Sequence, residues 1–404
     1  MPVPALEQRY RQFLATCDDR PVVISAKQME SNISGLSGSK MEGPYDYVAP
    51  AYWYDPQAPG GAFGFNTETG VGAQLPVRES LERMLRSKSL WPVDERWNIL
   101  CTASSSEMNT LSRLTEVIDA RFGTSKTIDE YLHRADLLSY EGTKAMFEAF
   151  RVNAKPHADL QVKERGLATG IIQWMLNSAR PSVYWQLYDY YLQPNAAYYA
   201  VKRGNQPVQL IYDYQRRAVF AVNETQQDVK LNAAMRLIAG TQDQQDQRTL
   251  TLEAGAVVKA FDVSATSDAF LFLKASDTAG VEIAVNDYFL PAGRDVYDWE
   301  KTNWVTTPIT RYASYRALNS LPRVICQLTS KRISKGYELN LSNPSSTVAF
   351  FQRLIVKDAK GTLVCPAYWS DNYVTLAPGE SRTITCLLPT MDKDAEVHFE
   401  IEAF

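Results

Sequence analysis

The sequence predicts a multidomain chain: an α/β unit amounting to half of a TIM (β/α)8 barrel, followed by two immunoglobulin-like β-sandwich domains. Three observations predict it. A chain of 404 residues is too long for one ordinary core, so two or three domains are expected. Over residues 1–205, helical patterns alternate with short apolar runs, as in a parallel α/β unit, but only about four strands can be counted where a closed barrel needs eight. From Gln209 onward, apolar and polar residues alternate in short, evenly spaced runs with turn signals between them, the pattern of sandwiches. The units are expected at 1–205, 206–303 and 304–404.

Taken in order, Leu6, Tyr10, Phe13 and Leu14 predict an amphipathic helix over 6–16, leading to a strand at Val22-Val-Ile24. A Gly/Ser/Pro-rich stretch over 31–61 carries Tyr45, Tyr47, Tyr52, Trp53 and Tyr54. Gly61-Ala-Phe-Gly-Phe65 reads as a buried strand whose small residues permit close approach. Helices are expected at 76–88, 104–122 and 127–151, then a helix or strand at 166–177 and a strand at Ser182–Tyr188. The first sandwich should contain Gln209–Tyr214, Ala218–Asn223, Leu231–Leu237, Phe270–Lys274 and Val281–Asn286. The second should contain Val324–Leu328, Gly336–Leu341, Phe350–Val356, Tyr373–Leu376 and Ser381–Leu388.

Composition excludes several functions. A net charge of −4 without a basic stripe leaves no electrostatic footprint for nucleic acid or an anionic membrane surface. No apolar stretch approaches the roughly 20 residues of a membrane span, and Met1–Cys17 lacks the pattern of a signal peptide. The three histidines (His133, His157, His398) and five cysteines are scattered, which argues against zinc and against a His-dependent nucleophile. An odd cysteine count also fits no closed disulfide framework. The many tyrosines and tryptophans suit sugar faces, and they suit cores equally well.

The stretch Gly60–Pro76 carries the chemistry. Glu68, at the end of a short buried strand and flanked by Asn66 and small residues, is placed to aim a carboxylate into a pocket, as barrel catalytic groups are at strand C-terminal ends. Capping of the next turn is the plainer reading. Glu30, Glu42 and Asp46 read as solvated loop charges.

Phe65-Asn-Thr-Glu-Thr69 resembles the nucleophile motif of exo-β-D-glucosaminidases in glycoside hydrolase family 2. Gly38–Tyr45, Pro50–Tyr54, Gly170–Ser178, Ser182–Asp189, Gly204–Pro207, Tyr368–Asn372 and Leu376–Glu380 resemble the same group in matching order; the related β-mannosidases fit less closely around Glu68. The resemblance implies the C-terminal half of the barrel, a retaining double displacement with Glu68 as nucleophile, and no cofactor or metal. The implied partner is an oligosaccharide of β-linked glucosamine or mannose, and the implied placement is secreted or periplasmic.

The resemblance implies an acid/base at the end of the fourth barrel strand. Helix 6–16 and Arg20–Val23 resemble the segments directly after that strand, so the acid/base is expected before Met1, leaving this chain inactive alone. Asn66, Tyr45 and Tyr54 are expected to hold the nucleophile or touch the sugar, and Trp53, on a polar loop, to contact sugar. Trp185 is expected under the sugar or in the core, Trp174 in pocket or core, and Asp189 on a substrate hydroxyl or amine or in a turn cap. Lys40 is expected to be structural or to reach an anionic partner. Arg180 stands where the family often has an aromatic residue.

Overall fold

A computed structural model describes residues 3–102, 108–156, 166–390 and 396–404. Three parallel strands lie side by side in the order Ser39–Lys40, Gly64–Thr69, Ala168–Gln173. Lys40 pairs with Asn66, Asn66 with Ile171 and Thr69 with Gln173, with a bulge between Asn66 and Thr69. Side chains alternate across the sheet. Phe65 and Ile172 therefore stand on the face opposite Asn66 and Ile171, and they are 37% and 52% exposed.

Behind the sheet runs the helix Ile128–Val152, close to the expected 127–151. Thr127 caps it by accepting from the Glu130 backbone N–H, and Asp129 and Glu130 in the first turn suit the positive end of its dipole. It is buried on nearly every side because the sheet unit and both sandwiches pack around it. Among the described residues the other α-helices are Pro4–Leu14, Arg78–Met84, Ser112–Phe122 and Ala196–Gly204. The expected start of the third helix, 104–107, lies outside the described residues. In Pro4–Leu14 the apolar residues Leu6, Tyr10 and Phe13 are exposed, while Glu7 is buried and accepts from the Ser31 and Ser34 hydroxyls.

Three strand expectations are corrected. Val22–Ile24 forms no strand: Val23 is exposed and no neighbour pairs with the run among the described residues. Gly61–Phe63 belongs to the turn before the strand, with the Gly61 N–H bonded to the Ala58 carbonyl, so the strand starts at Gly64. Ser182–Tyr188 is irregular because Trp185 has φ of +64°, which breaks the extended backbone. Among its described residues the α/β unit thus contains three parallel strands where about four were expected, and residues 166–177 resolve into the strand Ala168–Gln173.

Both remaining units are antiparallel. The first sets the sheet Glu282–Leu290, Ala269–Ser276, Val229–Ala239, Gln242–Leu252 against Val257–Asp262, Ala218–Asn223, Val208–Asp213. Leu231, Ala233, Met235 and Leu237 point inward at period two. Val208–Asp213 and Ala218–Asn223 are buried throughout, since Ile211 and Phe220 on their outer face meet Val152 of the long helix. The second unit sets Gln327–Ile333, Gly336–Ser342, Ser381–Leu387, Tyr368–Trp369 against Val374–Leu376, Ala349–Asp358, Val397–Glu402. Between them, Val296–Tyr297 pairs with Ile309–Arg311, so residues 303 and 304 sit in the loop of a small ribbon.

Candidate active site

Glu68 lies near the C-terminal end of the strand Gly64–Thr69, half-buried. The Tyr45 hydroxyl donates to its Oε1 at 2.8 Å. Its backbone N–H donates to Asn66 Oδ1 at 3.3 Å. Asn66 is fully buried, and its Nδ2 has no partner among the described residues.

Tyr45 is fixed by several groups. Its N–H donates to the Val305 carbonyl at 3.0 Å, and its own carbonyl accepts from Trp185 Nε1 at 2.6 Å. Its ring meets Trp185 edge-on at 6.1 Å and Trp304 at 5.4 Å. Burial, then the hydrogen bond to Glu68, pushes the Tyr45 phenol well above its ordinary range, so it remains a donor. The next strand closes the other side. The Trp174 N–H donates to the Thr69 carbonyl at 2.8 Å, and Met175 N–H to the Trp185 carbonyl at 3.1 Å. Gly70 permits this approach: a Cβ there would stand 2.1 Å from the Trp174 carbonyl oxygen and 3.0 Å from the Trp185 ring. Trp174 leaves its indole 43% exposed.

The sequence-derived candidates divide accordingly. Glu68, Asn66, Tyr45, Trp174 and Trp185 come together, with Trp185 nearly buried beneath Tyr45. Trp53 is corrected: it lies in the short helix Pro50–Tyr54, fully buried, because Pro50 starts a 3-10 turn that turns the aromatic residues onto the long helix. Tyr54 is buried there too. Asp189 is buried and its Oδ1 accepts from the Tyr191 and Gln193 backbone N–H groups, which is the turn-capping alternative. Asp46 is not a solvated charge; it is buried, accepts from the Tyr47 N–H and pairs with Arg113. Glu30 is exposed and Glu42 half-exposed. Lys40 is buried with its ammonium on the Gly61 and Pro59 carbonyls and 3.4 Å from the Phe63 ring centre, a structural post. Arg180 ties its loop to the Ile99 and Cys101 carbonyls.

Among the described residues, no group of three His, Cys, Asp or Glu side chains could hold a metal ion, and no helix is long and apolar enough to cross a membrane.

Residues 304–404 match the family model of the exo-β-D-glucosaminidase Ig-fold domain. The exo-β-D-glucosaminidase of Streptomyces avermitilis is 34% identical across 97% of this chain, and that of Hypocrea jecorina 33% identical across 89%. The chain is a homologue of the exo-β-D-glucosaminidases of glycoside hydrolase family 2. It spans under half the length of these relatives, 45% and 42% respectively. The crystal structure of the Amycolatopsis orientalis exo-chitosanase CsxA superposes with a TM-score of 0.88 at 31% identity, over 98% of this chain and 49% of that one. A β-D-mannosidase from Dictyoglomus thermophilum shares the fold at a TM-score of 0.62 and 17% identity, over 87% of this chain and 38% of that one.

In this exo-β-D-glucosaminidase homologue, one residue at the site was not legible as such. Trp304 reads in the sequence as part of a domain boundary; the ribbon loop brings it against Tyr45, far away along the chain. The paired aromatic and polar residues of Asn303-Trp-Val-Thr-Thr307 between two all-β units were the available signal.

Proposed function

We propose that Glu68 is the nucleophile of a retaining β-glycosidase that removes glucosamine from the non-reducing end of chitosan oligosaccharides. The Tyr45 hydroxyl on Glu68 Oε1 carries the reading, because a strand-end carboxylate oriented by a phenol can present its other oxygen to an anomeric carbon. Attack gives a glycosyl-enzyme, and a second carboxyl roughly 5 Å away protonates the leaving oxygen and then activates water. Trp174 offers its exposed indole to the sugar, with Trp185 as the support under Tyr45. Two variants of CsxA were solved in complex with PNP-β-D-glucosamine, which favours glucosamine over mannose as the sugar here.

The parallel strands read as the C-terminal half of a (β/α)8 barrel. Phe65 and Ile172, exposed on one sheet face, support it, since such a face is filled with side chains in a closed barrel. The remaining strands and the acid/base then belong to the part of the relatives that this chain does not match. By itself, the 404-residue chain should hydrolyse chitosan oligosaccharides at no useful rate.

An aryl glycoside with a very good leaving group needs little acid assistance, so it separates the two roles. With such a β-glucosaminide, Glu68→Ala plus azide should give the α-glucosaminyl azide, the product expected when azide occupies the nucleophile's place. Recovery of the β-azide or of none would sink the assignment. Faster turnover of the matching β-mannoside by the complete enzyme would move the substrate to mannosides.

A further inference from the structure

We infer that Trp304, from the loop between the two sandwiches, is a binding platform for the sugar one residue outward from the one Glu68 attacks; this rests on the glycosidase reading above. Three observations carry it. The indole is 56% exposed although it belongs to a firmly held segment. Asn303 Oδ1 accepts from the Val305 and Thr306 N–H groups, the Val305 carbonyl accepts from both Tyr45 and Asp46, and Gly43 leaves room for the Trp304 carbonyl, which a Cβ would meet at 2.0 Å. A large ring on a rigid loop loses little conformational freedom on binding, and its flat face matches the apolar C–H face of a pyranose.

Position gives the subsite. Tyr45 stands between Trp304 and Trp185, its ring edge-on to both, and its hydroxyl points to Glu68. Trp185 is nearly buried and Trp304 is open to solvent, so the aromatic row runs from the floor of the site to its rim. A chain entering with its terminal sugar at Glu68 leaves the next sugar level with the rim.

Calorimetric titration of the chain with glucosamine, its dimer and its tetramer tests this, using wild type, Trp304→Ala and Trp304→Phe with thermal midpoints as a folding check. Trp304→Ala should weaken dimer and tetramer about tenfold and leave the monosaccharide within twofold, while Trp304→Phe keeps most of the affinity. Unchanged oligomer binding in Trp304→Ala overturns the inference, and so does an equal loss for the monosaccharide. Wild type binding no oligomer overturns it as well. The azide experiment on Glu68→Ala is independent: an α-azide with a silent Trp304→Ala removes the platform alone, whereas a lost oligomer preference without an α-azide removes the nucleophile alone.

Discussion

Tyr45 is gripped at its N–H, its carbonyl and both ring edges before its hydroxyl reaches Glu68. That investment in one phenol makes sense if the hydroxyl orients a reacting carboxylate. Tyr45→Phe keeps the ring contacts and removes only the donor. It should lower kcat of the complete enzyme roughly a hundredfold and move KM by no more than a few fold, by analogy with the loss of one preorganised donor. An unchanged kcat with a raised KM would recast Tyr45 as a sugar contact. At this scale the sequence was readable where neighbouring residues form one local arrangement, as in Asn66-Thr-Glu68, where Asn66 Oδ1 accepts from the Glu68 N–H. It misled at Trp53, because a Pro-initiated 3-10 turn buries a ring that composition alone assigns to a polar loop. Trp53→Ala should therefore destabilise the fold by about 3–5 kcal/mol, read from denaturant midpoints, while Trp53→Phe should leave sugar affinity unchanged.

Among the elements, the strand end at Glu68 depends on how closely the following turn approaches the next strand. Gly70 is the close point, with the Trp174 carbonyl and the Trp185 ring where a side chain would be. Gly70→Ala must push backbone aside; a loss of about 1–3 kcal/mol is expected, together with reduced turnover, because the same shift moves Glu68. A thermal midpoint equal to wild type would show that the strand pair can part freely. The elements recovered from sequence are those with sustained period: the helix Ile128–Val152 and the alternating strand Val229–Ala239. Ser182–Tyr188 was misread because a short apolar run says nothing of a positive φ in its middle, here at Trp185. The two-residue strand Ser39–Lys40 has no periodicity to read, and its place in the sheet comes from pairing with Asn66.

In the whole molecule, the long helix is bonded to the first sandwich through a buried polar network, and Arg203 of the helix Ala196–Gly204 bridges both sandwiches. Lys144 Nζ donates to Asn286 Oδ1 at 2.9 Å; Asn286 Nδ2 and the Tyr288 hydroxyl donate to Glu148 at 2.6 and 2.9 Å. Arg203 bridges Asp287 and Asp371, one from each sandwich. Burial lowers the Lys144 pKa and raises that of Glu148, each opposed by the other's charge. Removing one member leaves its partner buried without its counter-charge, so Lys144→Met should cost about 3–5 kcal/mol, whereas the paired change Lys144→Met with Glu148→Leu should recover part of it. Denaturant midpoints of wild type and the two variants decide this.

Nearby, Glu141 accepts from the Tyr315 hydroxyl at 2.8 Å, and burial raises its pKa to about 7. Its folded pKa lies above the unfolded value, so its contribution is complete below about pH 4.5 and is lost as pH climbs through about 7. Stability should fall between about pH 5 and 8, and Glu141→Gln should flatten that slope.

The ribbon loop at Asn303–Thr306 makes the terminal units something other than detachable appendages. Part of the wall around Tyr45 is encoded after the first sandwich, and the ribbon closes only when Ile309–Arg311 returns to pair with Val296–Tyr297. Recombination at residue 303 would replace Trp304 and Val305, part of the wall around Tyr45, along with the terminal module. With Trp304 as the platform inferred above, variation in that distant segment would give lineages a route to retune substrate length without touching the residues around Glu68.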